Sequence, residues 1–172
     1  MQARWKPSVT VAAIIERQQQ GLTEFLLVEE MTQEGLRLNN PAGHLDPGES
    51  PMEACAREAL EETAHLFKPT ALVGVYLSRF ERERPGQPLE DITYLRFAFC
   101  GELGLLQPDR ALDEGIVRTV WMSPEEIRTT QALHRSPLVL RCMEDHLAGR
   151  RYALDLISTD PSVYLGGTSA NS

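Results

Sequence analysis

The chain has 172 residues and a mass of 19.3 kDa, enough for one ordinary domain with a substantial core. Hydrophobic residues at 42% and charged residues at 24% exclude global disorder, a collagen-like repeat and a disulfide scaffold, and no apolar run reaches the roughly 20 residues that span a bilayer. A formal charge of -8, from 25 acidic against 17 basic side chains, disfavours a general nucleic-acid binder and suits a protein that meets phosphates through divalent cations. No apolar segment precedes Pro7, so no secretory signal is expected. Cys55, Cys100 and Cys142 lie in apolar contexts and read as reduced thiols of a cytoplasmic protein.

In chain order, the β-branched run Val9–Ile15 predicts a strand, and Gln18-Gln19-Gln20-Gly21 a polar turn before a second strand at Phe25–Val28. Residues 36–40 lead into Pro41-Ala42-Gly43 and a turn-rich loop to Gly48. Ser50, Pro51 and Glu53 then form an N-cap, a first-turn proline and a capping box for a helix running to about Ala64. Its apolar stripe is Met52, Cys55, Ala56, Ala59, Leu60 and Thr63. Strands are expected at Ala71–Leu77, Ile92–Cys100 and Ile116–Met122, with a charged loop at Glu81–Asp91. Ser123-Pro124 and Ser136-Pro137 open two more helices, the second ending at Gly149. The expectation is a single α/β domain over residues 1–157 and a polar, flexible tail over 158–172.

The chemistry-bearing segment is Arg57-Glu58-Ala59-Leu60-Glu61-Glu62. On a helix Glu58 meets Glu61 and Glu62 at i+3 and i+4, and like charges at those spacings repel by roughly 0.2–0.5 kcal/mol per pair. Arg57 is the only nearby cation, and Glu53 at i−4 competes for it. A divalent cation turns this repulsion into ligation, because clustered carboxylate oxygens are what Mg²⁺ prefers. Taken alone, the same pattern also fits a solvated acidic helix.

Upstream spacing makes the pattern specific. Gly43-x5-Glu49-x7-Arg57-Glu58-Ala59-x-Glu61-Glu62 resembles the signature box of the Nudix hydrolases. Ala64 stands where that box has glycine, and His65 where it has an apolar residue. Val9-Thr-Val-Ala, Asn40-Pro-Ala-Gly-His-Leu45, Trp121 before Glu125-Glu126-Ile127, and Arg135-Ser-Pro-Leu-Val139 extend the likeness, which is closest in kind to the bacterial NudJ subgroup. The resemblance implies an α/β/α sandwich with a mixed β-sheet and the box as loop–helix–loop. It also implies metal-dependent hydrolysis of phosphoanhydrides in nucleoside tri- and diphosphates and thiamine-type pyrophosphates. The alternatives are an ADP-ribose or dinucleoside-polyphosphate pyrophosphohydrolase, or a nucleotide-binding module without catalysis.

By the same resemblance the cofactor is Mg²⁺, with Mn²⁺ as a substitute. Glu58 and Glu62 lead as ligands, Glu61 is a ligand or the general base, and the Ala42 carbonyl is a further ligand. Glu49 and Arg57 tie the loop to the helix. Glu114, or Asp113 beside it, is the candidate acidic residue outside the box. His44 and Arg96 are candidate substrate contacts, with Arg79 and Arg135 behind them. The aromatics Trp5, Phe80, Tyr94 and Phe97 offer faces for stacking a base or pyrimidine ring, but strand aromatics are more often core, and they are read as core. The expected partner is a small pyrophosphate substrate, with no nucleic acid or membrane, in a monomer or homodimer.

Overall fold

A computed structural model describes residues 4–83, 86 and 89–165. Its strands are β1 (Ser8–Ile14), β2 (Glu16–Gln19), β3 (Leu22–Thr32), β4 (Gly35–Asn39), β5 (Ala42–His44), β6 (His65–Arg82), β7 (Glu90–Leu106) and β8 (Ile116–Met122). Its helices are α1 (Pro51–Thr63), α2 (Pro124–Thr129) and α3 (Leu138–Leu147). One sheet has the order β5-β1-β7-β6 and is mixed, because β1 runs parallel to β7 while the other pairs are antiparallel. In the second sheet β3 carries β2 and β4, and β8 pairs with β3 as well. The strands expected within one sheet are therefore divided between two.

Strand alternation explains the sandwich. Successive side chains of a strand point to opposite faces, and in β1 both faces are apolar. Val11 and Ala13 join Phe97 and Phe99 of β7 under Ala54, Cys55 and Ala59 of α1. Ala12 and Ile14 join Ala98 and Cys100 under Ile127 of α2 and Val139, Cys142 and Met143 of α3. Helices thus cover both faces of the mixed sheet. All three cysteines are buried and free.

Local chemistry set several boundaries differently from expectation. Gln20 and Gly21, both at positive φ (53° and 78°), close a tight hairpin, so β2 occupies part of the expected polar turn. The strands β6 and β7 extend well beyond the expected cores, pairing as far as Arg82↔Glu90. Residues 84, 85, 87 and 88 of the expected charged loop lie outside the described residues. Ser136 accepts from the Leu138 N–H at 3.3 Å, and α3 itself starts one residue after Pro137. The expected tail is placed in part: Tyr164 hydrogen-bonds Glu53 through its hydroxyl at 2.9 Å, while residues 166–172 lie outside the described residues.

Candidate active site

Helix α1 begins as its sequence dictates. Ser50 Oγ accepts from the Glu53 N–H, and Glu53 Oε2 accepts from the Ser50 N–H at 2.8 Å. This commits Glu53 to the cap and leaves Arg57 for the box. The helix ends at Ala64, held in the left-handed region (φ 56°, ψ 13°) that glycine adopts more cheaply. Alanine therefore keeps the turn at an energetic cost. The carbonyls of Glu61 and Ala64 accept N–H bonds from Asp113 (3.0 Å) and Gln107 (2.7 Å), so the loop before β8 is docked on the end of α1.

On α1, Glu58 and Glu62 turn inward and are only 8% and 7% exposed, whereas the Glu61 side chain is 27% exposed. Gly43 faces Glu58 so closely that a Cβ there would collide with the carboxylate. Glu62 Oε2 accepts from the Ala42 N–H at 2.9 Å. Bonds from the Ala13 N–H to Pro41 O and from the Leu45 N–H to Val9 O place Ala42 between bonded pairs of the β1–β5 ladder. Its N–H and C=O therefore both turn away from β1, on the side of Glu62.

Arg57 gathers the loop and the helix. Its Nε and Nη2 donate to Glu49 at 3.0 and 2.8 Å, its Nη2 to His44 O at 2.9 Å, and its Nη1 to Glu58 and Glu61 at 2.8 Å each. The guanidinium holds Glu49 below the ordinary carboxylate range. Burial pushes Glu62 up to about 8, opposed by the Ala42 N–H and reinforced by Glu58, Glu30 and Asp113. Burial also raises Glu58, against the pull of Arg57. Two buried carboxylates, with a turned-out carbonyl alongside, form an all-oxygen donor set suited to a hard divalent cation. In this arrangement Glu58 and Glu61 are engaged by Arg57, and no three His, Cys, Asp or Glu side chains among the described residues already converge as a metal cage.

Of the acidic pair outside the box, Asp113 rather than Glu114 carries charge to Glu58 and Glu62; Glu114 is exposed on the turn at Gly115. Arg79 is exposed and paired with Asp91 at 2.7 Å, away from the box. His44 and Arg96 do come together. Strand register aligns His44, Thr10, Arg96 and Tyr76 across β5, β1, β7 and β6. The same face that is apolar at Ala12 and Ala98 becomes polar one step further out. A cavity of about 180 Å³ opens there, floored by Thr10, Asn39 and Arg96 and bounded by the Ala42–His44 strand, Tyr94 and Arg135. Arg135 lies 2.9 Å from Glu30, its loop fastened to β4 by an Arg135 N–H to Leu38 O bond of 2.8 Å.

Two aromatics assigned to the core stand on this cavity instead. Phe80 stacks on Tyr94 (centroids 5.0 Å apart, 29° between planes), and His44 lies on Tyr94 at 5.9 Å. The signal was present: Tyr94 and Arg96 share the period-2 face of β7 with Ala98 and Cys100. Phe97 does belong to the core, and Trp5 is 68% exposed.

The NUDIX domain family model matches residues 6–142. The chain is 35% identical over 153 residues to the phosphatase NudJ of Escherichia coli strain K12, covering 89% of this chain and 92% of that protein. A NUDIX hydrolase from Nitrosomonas europaea superposes with a TM-score of 0.78 at 49% identity, over 90% of this chain and 98% of its own. The NUDIX domain of NrtR from Shewanella oneidensis, complexed with ADP ribose, shares the fold with a TM-score of 0.64 at 14% identity, over 85% and 90% of the two chains.

Proposed function

The chain belongs to the Nudix hydrolase family, and from that premise we propose that it removes phosphate from nucleoside tri- and diphosphates and thiamine-type pyrophosphates with Mg²⁺ as cofactor. The observation that carries the reading is the pair of buried carboxylates, Glu58 and Glu62, closed against Gly43 and Ala42 with Arg57 within bonding distance. Glu58, Glu62 and the Ala42 carbonyl would hold the cation. A cation held there would supply charge neutralisation for the pyrophosphate and a lowered pKa for attacking water.

The protein's own groups do the rest. Arg57 fixes the loop through Glu49 and His44 O, so the Ala42 peptide is presented at a constant distance from the helix. Glu61, the most exposed of the three glutamates, would take the proton from water. Asp113 adds negative charge beside Glu58 and Glu62, strengthening attraction for a divalent ion. His44 and Arg96 face the substrate from the sheet. The three free thiols suit a reducing, cytoplasmic setting. Among the described residues no helix is long and apolar enough to cross a membrane.

The test is phosphate release from NTPs, NDPs, thiamine pyrophosphate, ADP-ribose and dinucleoside polyphosphates with Mg²⁺, Mn²⁺ or EDTA, resolving orthophosphate from pyrophosphate. Metal-dependent orthophosphate from the first three is expected. Mononucleotide products from ADP-ribose or dinucleoside polyphosphates instead would move the substrate assignment, and silence across the panel would favour a binding module. Glu61→Gln should lower kcat with Mg²⁺ affinity kept, whereas Glu62→Gln should weaken Mg²⁺ affinity itself. Unaltered Mg²⁺ affinity in Glu62→Gln would overturn the ligand assignment.

A further inference from the structure

The floor of the cavity beside the box holds an unusual set of unsatisfied groups. Thr10 Oγ1, Asn39 Oδ1, Ser78 Oγ and both Nε and Nη1 of Arg96 are buried without a hydrogen-bond partner among the described residues. Glu30 Oε1, although 2.9 Å from Arg135 Nε, also lacks a hydrogen bond of acceptable geometry. Buried polar atoms in folded proteins are nearly always paired, so a cluster of orphans around one void signals a missing partner. The set is mixed: Arg96 offers only donors, and Glu30 offers an acceptor. A phosphate would satisfy Arg96 but bring no donor to Glu30 Oε1, whereas a neutral heterocycle bearing both acceptors and N–H groups satisfies both. Tyr94, stacked on Phe80 and flanked by the tilted ring of His44, supplies aromatic surface for such a ring. At about 180 Å³ the cavity falls below the roughly 300–1,000 Å³ of whole-ligand pockets, so it takes one end of a substrate. Its other wall, the Ala42–His44 strand, leads to Glu58 and Glu62.

We propose that Arg96 and Glu30 read the hydrogen-bonding edge of the substrate's heterocyclic base as it lies against Tyr94, and so determine which base the enzyme accepts. The catalytic half of the proposal rests on the hydrolase reading above; the recognition half does not. Arg96 donates to a ring nitrogen or carbonyl oxygen, and Glu30 accepts from an amino or ring N–H. A buried guanidinium with Nε and Nη1 unbonded, even with the Glu30 and Glu62 carboxylates in its surroundings, is a cost to folding, which points to retention for recognition rather than stability.

The experiment compares wild type, Arg96→Met, Arg96→Lys and Glu30→Gln on ATP, GTP, CTP, UTP and base-free tripolyphosphate. Wild type should show a spread of kcat/KM among the four nucleotides. Arg96→Met should lower kcat/KM on the preferred nucleotide about tenfold or more, mainly through KM, and flatten the spread, with a Tm equal to or above that of wild type. Arg96→Lys, which keeps the charge but not the planar fork, should also lose discrimination. Glu30→Gln should reorder the bases. A uniform loss that includes tripolyphosphate would assign Arg96 to the phosphates and overturn the proposal. So would a lowered Tm with unchanged ranking, or a wild type without base preference. Titration with the free nucleosides by NMR separates the two readings. If no triphosphate is hydrolysed, wild type should still bind at least one nucleoside, and Arg96→Met should bind it about tenfold more weakly. Absence of nucleoside binding by wild type overturns the proposal.

Discussion

Burial lifts the Glu62 carboxyl to about 8, so the metal-free folded protein retains a proton there that the unfolded chain, near 4.5, releases. A carboxyl raised on folding supports stability below its unfolded value and loses that support as pH rises toward the folded one. Metal-free wild type should therefore lose stability between about pH 4.5 and 8 at this group. Glu62→Gln removes the titration but leaves an oxygen for the Ala42 N–H. Without metal it should melt higher than wild type at pH 8 and level with it near pH 4.5, and added Mg²⁺ should raise Tm only in wild type. Thermal melts with EDTA and with Mg²⁺ check this; equal Mg²⁺ shifts in both proteins would refute it. Glu49 behaves in the opposite sense, since Arg57 holds it below 4.5. Its contribution is present above that value and fades as pH falls through the lowered one. Arg57→Ala should abolish that contribution and cost about 2 kcal/mol at neutral pH, because Glu49, Glu58 and Glu61 lose charged donors together. Urea denaturation at pH 7 and pH 4 measures both effects. Helical spacing raised these residues as a carboxylate cluster, and it was the resemblance to the Nudix box that singled them out from an ordinary acidic helix. Asp113 was only half legible: the choice between it and Glu114 depends on a backbone bond from the Asp113 N–H to Glu61 O, which no side-chain pattern encodes.

Among the elements, α1 was legible at both ends. Ser50, Pro51 and Glu53 spell its start in local chemistry, and the structure realises each bond. Its end at Ala64 shows tertiary context overruling propensity, as alanine accepts φ 56° where glycine would be easier. Ala64→Gly should relieve that strain and stabilise the protein by about 0.5–1 kcal/mol after allowing for the entropy glycine loses on folding. A lowered urea midpoint would mean that the buried methyl matters more than the backbone. The boundaries of β6 and β7 were not legible. Beyond Leu77 the two strands turn to Ser78, Arg79, Glu81 and Asp91, and a polar run looks like loop until cross-strand pairing to Arg82↔Glu90 is known. That extension carries Phe80 out to the cavity wall, against Tyr94.

At the scale of the molecule, β1 joins everything. Its two faces feed the two cores, and its edges pair with β5 on one side and β7 on the other. The β-branched apolar run revealed the strand but not its neighbours, since hydrophobicity marks buried faces without specifying which strand lies alongside. The division into two sheets was illegible for the same reason. The parallel pairing brings Val11 beside Phe97, 86 positions later in the chain. During synthesis, then, the first strand emerges long before its central partner exists, and its Val-Ala-Ala-Ile run must wait. The hairpins around β3 and β4 and between β6 and β7 close over short loops and need no such delay. Chains ended at residue 89, before β7, should be cut rapidly within β1 by protease and aggregate, whereas chains ended at residue 157 should resist; equal resistance would show that β1 finds shelter without its parallel neighbour. The strand that organises the finished enzyme is therefore the one most exposed while the ribosome is still at work.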